Sequence, residues 1–526
     1  MTGGLIQLVA YGYDDMYLTK DPQVTYFKVV YRRHSNFSAE QIPQYFINPP
    51  NFGKKSTCII SKNADLAGNV LIVVTLPKIR PFTDSRAKFA WVKRVGFALI
   101  KSVEIEINGR IIDRHYGEWL NLWAELTGEI NGAHERGIKK MIGDVPEMTD
   151  FSNSKDQYTL YIPLKFWFCK NSGLALPLVS LQYCDVKINV EFEEAEKCYL
   201  LTPTHYIKCR DDIVNFEQYE YIEQNIDGEI SAGIFIDYDS NSKRLYYYKI
   251  TSNKLTSIPV SSNFDTSTTN TPEINRLLAS PAGLKYSIIG KTSGYTTFAE
   301  FNNHTLIYSP PKIRNLNFKD CFLLIDYYFL DDDERLKFSQ AKHDYLIEQL
   351  FFTPDIEIDN GNYNAKIIAE HPCKLMVWVV QMAYVKNAKD YYNYTDSYQN
   401  KIFDWENYRN KKGTPIGKSL INTETILMNG NERISKRSSS YFEKIQKHLH
   451  TKHTTLPGIN MYSFGLDPFA FQPMGTCNMS QIDNPEIKLS LSSVINIKNH
   501  ALFRGYCLCN NVFRIVNGLA GLVFTR

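Results

Sequence analysis

The sequence is poor in the features that most often reveal an activity. No apolar run reaches the ~20 residues that a membrane-crossing helix needs. The nearest stretch, Lys374–Val385, reads as a buried strand. The opening residues Met1-Thr-Gly-Gly-Leu-Ile lack a basic segment and a long apolar core, so a secretory leader is not expected. The ten cysteines form no spaced framework and read as reduced thiols of a protein made in the cytosol. Net charge is also scarce, at +3 over 526 residues. Proteins that coat phosphate carry a marked basic excess, so direct genome binding is not expected. Gly3-Gly4 lacks the strand–turn–helix context of a phosphate loop. No Ser, His and Asp set stands out, so neither catalysis nor a cofactor is expected.

What the chain does contain is aromatic residues and alternation. Tyrosine (34) and phenylalanine (30) are abundant, a composition that favours strands. A length of 526 residues exceeds one ordinary core and implies two or three domains. One pattern occurs twice. Val103-Glu-Ile-Glu-Ile-Asn-Gly109 runs a strand into an Asn-Gly turn, and Thr425-Ile-Leu-Met-Asn-Gly430 does the same. Asn-Gly favours the positive φ angles of a type I′ hairpin. Each copy leads into aromatics, His115-Tyr-Gly-Glu-Trp119 and Ser440-Tyr-Phe442. Each is followed by a further alternating strand, Val186–Phe192 in one and Ile487–Leu491 in the other. Two markers in the same order indicate two homologous β domains.

Between these markers the composition shifts. Residues 31 to 192 read as many short strands punctuated by Gly, Pro and Asn, as in a sandwich or barrel. Residues 200–312 are dominated by Ser, Thr, Asn and Tyr. They read as a large inserted loop with its own hairpins or as a small extra domain, with Asp237–Lys243 as a hairpin tip. Phe322–Leu330 reads as the last strand of the first half. Asp331-Asp-Asp-Glu334 then caps a short helix, which explains these acids better than a bound cation does. A second long polar loop spans 387–418, before the second hairpin.

Few residues suggest a site. His448, His450 and His453 are weak metal candidates, because alternate residues of a strand share a face. A zinc site needs three or four converging ligands, and no Cys or Asp lies near in sequence, so polar loop histidines are expected. Cys507 and Cys509 are expected as structural thiols. Asn36, Asn303, Asn393 and Asn478 begin glycosylation sequons; Asn303 and Asn393 lie in the expected surface insertions and are the better acceptors.

Several blocks carry a family resemblance. Gly3–Ala10, Asp15–Thr19, Phe27–His34, His115–Trp119, Gly173–Leu178, His343–Gln349, Gln472–Asn478 and Val512–Gly518 together resemble the major capsid proteins of nucleocytoplasmic large DNA viruses. Met474, Met479 and Gln481 depart from that pattern and leave room for a divergent capsid paralogue. The resemblance implies an all-β fold of two tandem eight-stranded jelly-roll barrels with large loop insertions. It implies an N-terminal arm over 1–30, a first barrel over 31–340 and a second over 345–526. It also implies a homotrimer whose six barrels fill a pseudo-hexagonal place in an icosahedral virion shell, assembled in the host cytoplasm. Expected partners are neighbouring capsomers, minor capsid and penton proteins, and the internal viral membrane reached by the arm. The insertion at 200–312 is expected as an outer tower. Jelly rolls also serve carbohydrate-binding proteins and metal-dependent cupins, and fold alone does not separate these roles.

Overall fold

The computed structural model describes residues 19–525 apart from 24, 26, 30–32, 131–134, 260–271, 314, 397–416, 452 and 454. Sixteen strands build one topology twice. In the first half these are β1 (Phe37–Gln44), β2 (Lys55–Ile59), β3 (Leu66–Leu76), β4 (Ile100–Ile107), β5 (Arg110–His115), β6 (Tyr158–Pro163), β7 (Val186–Phe192) and β8 (Asp320–Leu330). The second half supplies β9 (His343–Ile358), β10 (Asn362–Lys366), β11 (Pro372–Met382), β12 (Ile421–Met428), β13 (Asn431–Ser438), β14 (Ile459–Ser463), β15 (Pro485–Leu491) and β16 (Ala501–Val516). The first half forms sheets of order β1-β8-β3-β6 and β2-β7-β4-β5. The second forms β9-β16-β11-β14 and β10-β15-β12-β13. Adding eight to each strand number of the first barrel gives the second. This is a double jelly roll.

Alternation explains which way each strand faces. In β8, Cys321, Leu323, Ile325 and Tyr327 are buried while Phe322, Leu324 and Asp326 remain partly exposed. The buried set packs into the first core with Val70, Ile72, Ile105 and Ile188. In β15, Ile487, Leu489 and Leu491 enter the second core and Lys488 faces water. Strand β11 is buried on both faces. Met376, Trp378 and Val380 line the second core; Leu375, Val377 and Val379 point the other way, into a separate cluster.

Both Asn-Gly turns take the left-handed geometry that their sequence favours. Asn108 and Gly109 have φ of 52° and 76°; Asn429 and Gly430 have 52° and 79°. They join β4 to β5 and β12 to β13, so the sequence repeat marks equivalent hairpins. A helix α1 (Gly117–Leu126) follows the first hairpin. Helix α2 (Asp332–Gln340) links the barrels, and its cap Asp331 accepts from the Glu334 amide at 3.0 Å.

The insertion is a folded unit. Strands Thr296–Phe298, Ser287–Gly290, Tyr221–Ile226, Glu229–Asp239, Arg244–Lys249, His205–Lys208 and Leu306–Ile307 form one seven-stranded antiparallel sheet, in that order. One face carries its own core, including Ile207, Ile222, Phe235, Leu245 and Ile288. The other face, through Ile234, Ile236, Tyr248 and Ile250, rests on Ala388, Phe151, Leu200 and Tyr384. The stretch thus has both its own hairpins and a core of its own.

The second long loop differs from expectation where it is described. Tyr392, Asn393 and Tyr394 are buried, and the Asp396 amide meets the Lys418 carbonyl at 3.1 Å. Residues 397–416 and the first 18 residues of the expected arm lie outside the described residues. No described helix is long and apolar enough to cross a membrane.

Candidate assembly interface

A separate apolar cluster forms the joint between the barrels. Helix α1 belongs to the first barrel, yet its residues divide between two partners. Leu120 and Ala124 pack into the first core, whereas Trp119, Leu122, Trp123 and Leu126 meet Leu375, Val377, Ile459, Met461, Tyr506 and Leu508 of the second barrel. A helix clasped on both sides is apolar on most of its circumference. Beside it, edge strand β5 meets edge strand β9. Gln349 Nε2 donates to the Ile112 carbonyl at 2.5 Å, and the Leu350 amide donates to Asp113 Oδ1 at 3.0 Å.

Charged groups fix the register of this joint. Glu118 of α1 accepts from Arg504 Nε at 2.6 Å and Nη2 at 2.7 Å, and from the hydroxyls of Tyr506 at 2.5 Å and Tyr394 at 3.0 Å. Burial alone would lower the Arg504 guanidinium, but Glu118 outweighs it and raises it. Arg504 also donates to Asp355 and Gln381. Lys170 of the first barrel and Lys374 of the second both bind Glu348. Burial would raise the Glu348 carboxyl; the two ammonium groups instead hold it at about 2. Lys170 moves down, first through burial and also through Lys374, because two cations share one anion. Glu125 bridges the same joint, accepting from Arg94 at 2.7 Å and from the Leu456 amide at 3.2 Å.

The joint uses β5 and α1 of the first barrel against β9 and the outer face of β11, β14 and β16 of the second. The counterparts of these surfaces are open. Strand β1, equivalent to β9, is exposed along most of its length, with Phe37 at 56%. Strand β13, equivalent to β5, is exposed at all positions but Ile434. After β13 a turn of π-helix (Tyr441–Ile445) continues as α3 (Gln446–His450), in the place that α1 holds in the first barrel. Phe442 is buried, while Ile445 and Leu449 are 49% and 63% exposed. The outer face of β3, β6 and β8 leaves Leu71, Tyr161, Phe322 and Leu324 partly or fully exposed.

The residues marked in the sequence do not converge. His448 and His450 lie on α3, so the strand spacing that suggested a shared face does not apply. His448 is exposed, His450 Nδ1 lies 2.9 Å from the Leu466 carbonyl, and the His453 ring sits over Gly128. No group of three or more His, Cys, Asp or Glu side chains among the described residues has the geometry of a metal site. Asn303 is half-buried on the inserted sheet's edge. Asn393 is buried and donates to Asp390 at 3.0 Å, so it does not present the free surface amide expected of it. Sequence reasoning missed Glu118, Glu348, Lys170 and Arg504. One signal was present: Arg504 interrupts the apolar run Ala501–Cys509, where a charge requires a buried partner.

Known proteins match this architecture from end to end. Residues 25–238 match the family model described as major capsid protein N-terminus. Residues 334–521 match that described as large eukaryotic DNA virus major capsid protein. The chain is 39% identical to "Probable capsid protein 4" of Acanthamoeba polyphaga mimivirus, over 100% of this chain and 99% of that one. It is 30% identical to the "Major capsid protein" of Phaeocystis pouchetii virus over the full length of both. The solved chain titled "PBCV-1 virus capsid, quasi-atomic model" superposes with a TM-score of 0.61 at 22% identity, covering 95% of this chain and 100% of that one. With the doubled jelly roll, these likenesses place the chain in the major capsid protein family of large eukaryotic DNA viruses.

Proposed function

We propose that this chain is a structural subunit of an icosahedral outer shell, acting as a homotrimer with six barrels in pseudo-hexagonal array. The observation that carries this reading is the pairing of closed and open surfaces. Inside one chain, β5 and α1 of the first barrel close on β9 and its sheet. The equivalent surfaces, β13 with α3 and β1 with its sheet, remain exposed on opposite barrels. Repeating the internal contact between chains satisfies both open surfaces, and three copies close the ring. The role is assembly and not catalysis. In this arrangement the inserted sheet stands as an outer tower, where a glycan on Asn303 meets solvent. Minor capsid and penton proteins, and an internal membrane met through the arm over 1–30, are the further partners of this reading. Assembly takes place in the host cytoplasm.

Light scattering on the purified native protein tests this. The expected mass is three times the 60.7 kDa chain, with pseudo-hexagonal outlines in negative stain. A well-behaved single-chain mass would reject the trimer. A second reading, a divergent capsid paralogue, is supported by the higher identity to "Probable capsid protein 4" (39%) than to the relative named major capsid protein (30%). Quantitative mass spectrometry of purified virions separates the two: dominance among shell proteins supports the major role, and a trace amount supports the paralogue.

A further inference from the structure

Four of the ten cysteines meet at one corner of the second barrel, although they are far apart in sequence. Cys373 on β11 stands in direct antiparallel register with Cys509 on β16 and, on its other side, with Cys477 on the short strand Cys477–Asn478. Cys507 lies two residues from Cys509 and therefore on the same face. Directly opposed residues of an antiparallel pair have Cα atoms about 4.5–5.5 Å apart, inside the roughly 4.4–6.8 Å that a disulfide spans. Cys373, Cys507 and Cys509 are closed within the core, whereas Cys477 is only half-buried. All four are free thiols.

We propose that Cys373 and Cys477 form a reversible disulfide, entered at Cys477 and closed by Cys373. Cys477 is the sulfur that a small oxidant can reach. Its thiolate attacks a low-molecular-weight disulfide such as oxidised glutathione. One glutathione thiol leaves, and a mixed disulfide forms on Cys477. The Cys373 thiol gives up its proton and attacks the Cys477 sulfur as a thiolate; the second glutathione departs as a thiolate and takes up a proton in turn. Two protein thiols are oxidised and one glutathione disulfide is reduced to two thiols.

The surroundings favour Cys373 as the closing thiol. Burial alone would raise it, but hydrogen bonds with the Cys507 and Cys509 thiols bring it below its ordinary value. Cys507 moves up, chiefly through that bond to Cys373, and Cys509 moves up, chiefly through burial. Burial also raises Cys477, so entry accelerates as pH rises. The bond would pin the Gln472–Asn478 segment to β11. It would be open in a reducing cytosol and closed once the protein reaches oxidising surroundings.

The test is thiol titration after denaturation, with non-reducing peptide mapping, on the full chain exposed to oxidised glutathione. The expected result is a loss of two thiols from the ten and a linked pair of peptides carrying Cys373 and Cys477. Reductant should restore both thiols. Cys477→Ser and Cys477→Ala should keep every remaining thiol, while Cys209→Ser, in the inserted unit, should lose two as the parent does. Retention of all ten thiols, a link between other cysteines, or glutathione left on Cys477 would each overturn the proposal.

Discussion

Arg504 is held by acceptors from three elements: Glu118 on α1, Asp355 on β9 and Gln381 on β11. Its side chain is 5% exposed, so the guanidinium depends on these partners. Removing one partner of a buried pair costs about 3–5 kcal/mol, because the other charge is left unpaired. Glu118→Ala should therefore destabilise by about 3 kcal/mol, the low end, since Asp355 remains. Glu118→Gln should lose less, because it still accepts hydrogen bonds. Urea unfolding followed by tryptophan fluorescence measures both. Equal stability of Glu118→Ala and the parent would contradict this account. Glu348 gives a pH-dependent counterpart. Its carboxyl sits at about 2 in the fold against an ordinary 4.5, through Lys170 and Lys374 opposing burial. A depressed folded value adds stability above the unfolded value, here roughly 3 kcal/mol, which is lost as pH falls from 4.5 towards 2. Glu348→Gln should thus unfold at lower temperature than the parent at pH 7, with the gap closing near pH 2.5. A gap independent of pH would exclude the carboxylate as its source.

At the scale of elements, what was legible in the sequence was local. The two Asn-Gly hairpins, the period-two strands β7 and β15, and the Asp331 cap each depend on residues adjacent in the chain. Helix α1 was not legible. Trp119-Leu-Asn-Leu-Trp-Ala-Glu-Leu126 shows no single apolar stripe, because two barrels cover it. The inserted sheet was half-legible: its hairpins are local, but Glu229–Asp239 and Arg244–Lys249 are buried on both faces and show no polar–apolar alternation, and its order joins strands from 205 to 307. Two glycines separate local from long-range demands. A Cβ on Gly109 meets nothing within 4 Å, so only its φ of 76° opposes a side chain. Gly109→Ala should cost about 1–2 kcal/mol, the ordinary left-handed penalty. A Cβ on Gly117 would lie 2.0 Å from the Phe97 carbonyl oxygen and 2.4 Å from that of Ile100. Gly117→Ala must therefore displace the start of α1 and loosen the joint it carries. Thermal melts should rank the parent above Gly109→Ala, and that well above Gly117→Ala. Equal losses would mean that the close approach at Gly117 is not maintained in solution.

For the whole molecule, the repeated topology makes one contact predict another. Helix α1 buries Trp119, Leu122, Trp123 and Leu126 against the second barrel; the segment in its place after β13 leaves Ile445 and Leu449 in water. These residues lie four apart, so they share a face across the join from π-helix to α3. Neither carries much of the single-chain fold, since Phe442 and Gln446 supply the buried side. Placing carboxylates at Ile445 and Leu449 should therefore leave a folded chain with an unchanged circular dichroism spectrum. In the proposed trimer the same carboxylates would be pressed against Leu71, Phe322 and Leu324 of the next copy, where an unpaired charge is expensive. The double variant Ile445→Asp, Leu449→Asp should run at the mass of one chain. Ile213→Asp, an equally polar change at an exposed site on the inserted unit, should stay trimeric. If the double variant also remains a trimer, the copies meet through surfaces other than the one their internal joint predicts, and the pseudo-sixfold argument fails even though the fold stands.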